Sequence, residues 1–441
     1  MKGLNKKVIR EISKAKKEPN WMLEKRLQAY EVFLSKPMPS WGANLAKMKF
    51  EAYEYYKKPE VTRRKKWSEV PLETKKVYEK LGIPKVEREI LAGVGAQWDS
   101  GVVYQSLKKR LKDQGVIFCD MDEAVVKHEE MVKEHFMTKV VTVNNNKFSA
   151  LHGAVWSGGS FVYIPKGVKV SEPLQAYFFM NLKSGGQFEH TLIVADEGSS
   201  LEFIEGCSAP KYSTESVHVG CVEILVKKKA KVRYSTVQNW SKEVYNLPTK
   251  RAIVEEDGLM EWISGSLGSK VTMVYPSSIL VGKRARADHL NLSLASKGQE
   301  IDSGGKAVHV APETSSNMIA KSISKDGGRA TYRGLVKVLE GAKGSQTNVS
   351  CEALILDKRS QSNTFPHMEI DENEVVAMHE AKTGKIAEEE LVYLMSRGIS
   401  ETEAMAMIVN GFMEPIVKKL PLEYAVEMNR LIELEMEGSV G

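Results

Sequence analysis

Two sets of residues carry side chains suited to sulfur and metal chemistry. Cys351 lies in an apolar, strand-like run, and His379-Glu380 follows 28 positions later. Thiolate and imidazole are good ligands for iron or zinc, and carboxylate is a harder supplement. No short motif joins the three, so they converge only if the chain returns on itself with a period near that spacing. Asn181, Cys207 and Gln238 are separated by 26 and 31 residues, with Trp240 and Lys250 close behind. One reading makes these a polar ladder along which a sulfur species is held or passed by a thiolate, with Lys250 lowering the thiol pKa. The structural alternatives are a buried apolar Cys351 beside a surface His-Glu pair, and a stacked Asn/Gln ladder around a core Cys207. Cys119 and Cys221 flank apolar runs and read as core.

The remaining chemistry is narrow. Four cysteines in 441 residues are too few for a disulfide framework, and no two are spaced as CxxC. A zinc ribbon or a ferredoxin-type cluster from one short segment is thereby excluded. GxxxxGK[ST], HExxH and GxSxG are all absent, which argues against an ordinary hydrolase or nucleotide-binding enzyme. The glycine-rich 156–160 segment, WSGGS, is better explained as a turn feeding the strand Phe161-Val162-Tyr163-Ile164.

What positions such residues must come from three compositional zones. Residues 1–147 read as an α-rich region. In it Asn20 is a candidate N-cap for a helix carrying Trp21, Leu23, Leu27 and Tyr30, and further helices are expected over 74–81, 102–111 and 122–136, with a short strand at 115–119. Residues 148–385 are rich in short β-branched runs separated by polar turns at 196–199, 227–230, 255–258, 282–284 and 340–342. The turns recur at intervals of roughly 31, 29, 26 and 58 residues, the last about twice the mean, so one weaker coil is hidden there. Such a period predicts a mainly β fold, a parallel β-helix, over the rival β-sandwich. Residues 386–441 are helical again: 388–395 stopping at Gly398, a capping box at Ser400 and Glu403, and a third helix restarted by Pro421. This last zone would seal the solenoid, pack on its side, or dock a partner.

Composition bounds the class. Hydrophobic residues make up 42% and charged residues 27%, and 63 basic against 57 acidic side chains leave a net charge of +6. That balance argues against a nucleic-acid partner. There is no apolar run of membrane-spanning length and no secretory leader pattern at Met1 to Glu18, so the expectation is a cytoplasmic protein without a membrane partner.

Longer strings then carry a resemblance. Residues 157–168 (SGGSFVYIPKGV), 205–210 (EGCSAP), 238–241 (QNWS), 322–325 (SISK), 332–334 (YRG), 393–398 (YLMSRG) and 404–409 (AMAMIV) resemble the SufB family of the SUF iron–sulfur cluster assembly system. So do 20–22 (NWM) and 91–97 (LAGVGAQ), and the likeness spans nearly the whole chain. The resemblance implies a right-handed parallel β-helix between helical ends. It implies a non-catalytic scaffold in complex with a SufC-type ABC ATPase, docked on the C-terminal helices, and with a SufD-type paralogue or a second SufB copy. A cysteine desulfurase or sulfur carrier would deliver persulfide to Cys207. Asn181, Gln238, Trp240 and Lys250 would line the internal path, and Cys351, Glu380 and His379 would hold a transient [4Fe-4S] or [2Fe-2S] cluster, with reduced flavin a candidate electron carrier. A structural SufD-like subunit is the alternative. Two departures stand out: the N-terminal CxxCxxxC of some members is missing, and Phe179 replaces an arginine two residues before Asn181.

Overall fold

The computed structural model describes residues 1–57, 91–180, 185–209, 214–419 and 422–436. It is mainly β: a parallel β-solenoid of about eight turns with helices at its N- and C-terminal ends. Two long sheets form its walls, one of 10 and one of 13 strands. Leu174–Phe179, Ser200–Ser208, Lys231–Trp240, Leu259–Gly268, Arg286–Ala295, Ser315–Ser324, Ser345–Ile355 and Val375–Lys385 lie parallel, in that order, in the first sheet. The stack begins on an antiparallel hairpin, Gly93–Trp98 with Gly101–Leu107.

The turn period read from the sequence is the edge of this stack. Gly198, Lys229, Asp257, Arg284 and Glu313 all take left-handed backbone conformations. Each donates its N–H to a carbonyl of the next turn: Lys228, Glu256, Lys283, Pro312 and Lys343 in order. The hidden coil is therefore the one turning at Glu313. Four of the five are not glycine, a strain of about 1 kcal/mol each that this ladder of turns offsets.

Inward-facing side chains alternate with outward ones along each strand. Phe203, Tyr234, Trp262 and His289 stack in register up the interior, with ring centroids 5.6, 5.4 and 6.5 Å apart. On the outer face, Val237, Ile263, Leu292, Leu294, Ile323 and Leu354 bury themselves under the C-terminal helices through Val409, Met413, Ile416 and Met428. Of the three C-terminal helices, Glu388–Ser396, Glu401–Val417 and Leu422–Met436, the last two thus lie on the solenoid's side, while the first buries no residue. Ser400 and Glu403 form the expected capping box. Lys325 reaches from the solenoid to the carbonyls of Glu435 and Met436, at 2.8 and 3.3 Å.

Several local expectations change. Asn20 is the first residue of the helix Asn20–Ser35, with Pro19 in the N-cap position. Most of 102–111, expected to be helical, is the strand Gly101–Leu107, because hairpin pairing outweighs local helix propensity. The 122–136 helix is two, Met121–Lys127 and Glu129–His135, parted at His128. The turn at Gly158 and Gly159 stands as expected: both have positive φ, and a Cβ at Gly159 would lie 2.1 Å from the His190 carbonyl oxygen. The expected 74–81 helix, Asn181 and Pro421 lie outside the described residues.

Candidate functional site: a buried polar file inside the solenoid

Strand register decides which side chains meet. Cys207 pairs directly with Gln238 on the next rung, and Gln238 with Ser266. The same column continues through Ser293, Ser322 and Ala353. Two residues earlier on each strand, on the same inward face, Glu205 leads to Thr236, Ser264, Asn291, Ala320 and then Cys351. All of these side chains are buried. Cys207 and Cys351 therefore stand in neighbouring columns of one inner wall, five rungs apart, or roughly 24 Å at a strand spacing of about 4.8 Å.

At the Cys207 end the lumen is crowded with charge. Lys250 comes from the opposite sheet and crosses the interior to Glu205 at 3.0 Å, both ends being nearly fully buried. Tyr234 donates its hydroxyl to the other oxygen of Glu205. Glu189 bonds to His218 Nε2, and His218 Nδ1 lies 2.7 Å from Asn246 Oδ1. Asn246 in turn donates to Gln238 Oε1 at 2.6 Å. Trp240 packs against the His218 ring, with centroids 4.6 Å apart. Glu189, Cys207 and His218 offer ligand atoms all within 4.8 Å of one another.

The thiol's acidity runs against the sequence expectation. Burial pushes the Cys207 thiol well above its usual pKa; Glu205 and Glu189 push the same way, and the opposing pull of Lys250 is outweighed. Lys250 is spent on Glu205. Burial opposes the imidazolium of His218, yet the Glu189 carboxylate and the Asn246 amide outweigh it and raise its pKa. Gln238 Nε2, Trp240 Nε1, Thr236 Oγ1 and Glu189 Oε2 are buried without a hydrogen-bond partner among the described residues.

The other end is open. Val375–Lys385 is the last strand of its sheet, and its residues are half-buried to exposed. The rung there is 30 residues long, so Cys351 pairs with Ala381 and Ser350 with Glu380. The 28-residue spacing to His379 is not the local coil length, and the expected convergence of thiol and carboxylate fails because His379 and Glu380, adjacent on one strand, take opposite faces. His379 pairs with Val349 and shares the inward face with Cys351. Glu380 lies on the opposite face, 2.8 Å from Lys382, and is 57% exposed. Burial pushes the Cys351 thiol up to about 12.

Of the expected path, Cys207, Gln238, Trp240 and Lys250 come together, and Phe179, buried, pairs with Ser208. Glu189, Glu205, His218, Tyr234 and Asn246 escaped the sequence reading. Their signal was present: Glu189 to His218 is 29 residues and His218 to Asn246 is 28, one coil each.

A family model described as the SUF system FeS cluster assembly, SufBD core domain, matches residues 178–412. A second, the SufBD protein N-terminal region, matches 9–176. The chain belongs to the SufBD family. Iron–sulfur cluster assembly SufBD family proteins of Staphylococcus saprophyticus and Staphylococcus haemolyticus are each 53% identical over 440 residues, covering 100% of this chain and 94% of the relative. That of Staphylococcus aureus is 52% identical over the same span. The SufBD chain described here is thus an iron–sulfur cluster assembly protein of the SUF system. No helix among its described residues is long and apolar enough to cross a membrane.

Proposed function

We propose that this SufBD chain is the SufB-type scaffold, which accepts sulfur at Cys207, passes it along the polar file, and builds a cluster at the open end with Cys351 and His379. The single observation that carries this reading is the continuous buried column from Cys207 through Gln238, Ser266, Ser293 and Ser322 to the neighbours of Cys351. Iron and sulfide are the cargo. In sulfur delivery, the Cys207 thiolate attacks the outer sulfur of a donor persulfide. The donor thiolate leaves and takes up the proton, and Cys207 carries the persulfide. Gln238, Trp240, Lys250 and Asn181 would line the route. Glu380 stands at the same edge on the outer face, suited to a ligand role across an interface with a second β-helix subunit.

Partners follow from the exposed surfaces. The terminal rungs expose Phe365, Ile370, Val376 and Met378, and the C-terminal helices expose Val392, Tyr393, Met395 and Met407. The first patch suits a SufD-type paralogue or a second copy, and the second a SufC-type ATPase, in the cytoplasm. The rival reading, a SufD-like structural subunit without its own cluster, is favoured by one observation: Glu380 does not face Cys351 within the chain.

Anaerobic reconstitution separates the two. The wild-type chain with its ATPase partner is expected to bind iron and sulfide with a visible absorption band, and Cys351→Ala to lose it while still folding and binding the partner. A wild-type chain free of iron and sulfide, or a Cys351→Ala variant with an intact band, overturns the scaffold reading.

A further inference from the structure

A second group of buried nucleophilic and basic side chains lies apart from the polar file. His152 belongs to the helix Lys147–Val155, which packs between the N-terminal helices and the solenoid. His190 and Cys221 open the strands His190–Ala195 and Cys221–Val226 and are register partners on adjacent rungs. All three are buried, and one ligand atom of each lies within 4.8 Å of the other two.

His152 Nδ1 lies 2.8 Å from the carbonyl oxygen of Val219. A carbonyl only accepts, so Nδ1 carries the hydrogen and Nε2 presents a bare lone pair. That Nε2 is 3.0 Å from His190 Nδ1. The far nitrogen of His190, Nε2, is 3.1 Å from Glu223 Oε2. Both Glu223 oxygens already accept backbone N–H groups, from Met137 at 2.7 Å and Val141 at 2.8 Å, as a carboxylate does. His190 Nε2 makes no hydrogen bond among the described residues, so the His190 hydrogen sits on Nδ1 and is donated to His152 Nε2. Were that one hydrogen moved to Nε2, beside Glu223 Oε2, two lone pairs would face each other next to a thiol, a donor set that a cation completes. A backbone carbonyl bonded to one remote nitrogen and a carboxylate beside the other are also the partners that metal-bound histidines have.

We propose that His152, His190 and Cys221 bind a zinc ion that ties the N-terminal helices to the first rungs of the solenoid. A tetrahedral ion about 2.0–2.1 Å from each nitrogen sets them roughly 3.3 Å apart, a few tenths of an ångström beyond their present separation. Cys221 binds as thiolate and releases its proton to solvent. Water takes the fourth position. Phe136 lies over the His190 ring at 4.1 Å and closes the site on one side. None of the three ligands belongs to the sulfur route, so the zinc site stands or falls separately from the scaffold reading.

The test uses the full chain, purified anaerobically under reducing conditions and loaded with Zn²⁺ alone or Co²⁺ alone. About one zinc per chain is expected to survive gel filtration, and the cobalt form is expected to show thiolate-to-metal charge-transfer absorption. Cys221→Ser removes that absorption and lowers zinc retention at least about tenfold, whereas Cys207→Ser and Cys351→Ser keep both. Glu223→Gln weakens zinc binding by about 10- to 100-fold. X-ray absorption at the zinc edge of the wild-type chain reads the ligands without any variant: one sulfur at about 2.3 Å with imidazole nitrogens supports the site. A wild-type chain that retains less than about 0.1 zinc, or whose charge-transfer band survives Cys221→Ser, overturns it, as does an edge spectrum without sulfur.

Discussion

Lys250 and Glu205 form an ion pair with almost no solvent contact, and losing one partner leaves a bare charge inside the solenoid. Lys250→Met is expected to cost about 3–5 kcal/mol, measured by denaturant unfolding, and adding Glu205→Gln should recover most of the loss. The same pair adjusts the reactivity of Cys207, which burial sets first. The thiol pKa is raised well above its usual value, so below it the thiolate fraction, and with it persulfide loading, rises about tenfold per pH unit. Mass spectrometry of Cys207 loaded by a cysteine desulfurase between about pH 6.5 and 8.5 checks that slope. Glu205→Gln, which removes a neighbouring negative charge, should speed loading at fixed pH, and Lys250→Met should slow it. A rate flat with pH would mean that thiolate formation is not the controlling step.

The element that gives the coil its length is the turn ladder. Gly198 sits in it at φ 66° with open space where a Cβ would go, so Gly198→Ala meets no clash and carries only backbone strain. A loss of about 1 kcal/mol is expected. Lys229, at φ 59° in the next turn, gives the converse: Lys229→Gly should be neutral or stabilising by up to about 1 kcal/mol. Thermal unfolding of the two variants checks the opposite signs. The hidden coil at Glu313 was legible only as a doubled interval, because its turn has neither a glycine nor a run of like residues to mark it. The Gly101–Leu107 strand misled for another reason: its Tyr, Gln and Leu suit a helix equally well, and only the paired strand before it settles the conformation.

At the scale of the whole molecule, the solenoid interior holds imidazoles that fold as neutral groups. His289 is pushed down to about 3 and His309 to about 4, in both cases by burial. His309 bonds Thr314 and Ser316 at 2.8 Å each, and His289 lies 3.1 Å from the Ser278 hydroxyl. Since the unfolded chain protonates these rings near pH 6.5 and the folded one does not, their neutral forms support the fold fully above about pH 6.5. That support is lost as pH falls toward 4, by roughly 3 kcal/mol or less for His309. Urea unfolding from about pH 7 to 4.5 should show falling stability, with the slope reduced in His309→Gln. An unchanged slope in that variant would assign the acid sensitivity elsewhere.

The mainly β solenoid, the helical ends and the family are all legible along the chain, because turn spacing, strand composition and long motif strings are local or periodic signals. The sequence also picked out Cys207, Gln238, Trp240 and Lys250 as neighbours, since Gln238 is about one coil from Cys207, Trp240 is two residues further along the same strand, and Lys250 lies a few residues beyond. Which face each residue takes is fixed only when the rungs are stacked. A coil of 30 residues instead of 28 puts Ala381, not His379, against Cys351, while Glu380, one residue beyond His379, takes the outward face at either length. Coil length varies from rung to rung, and a shift of one residue exchanges inside for outside. The same limit hid Glu189, His218 and Asn246 around Cys207, and the two histidines that give Cys221 a polar setting where apolar flanks suggested plain core.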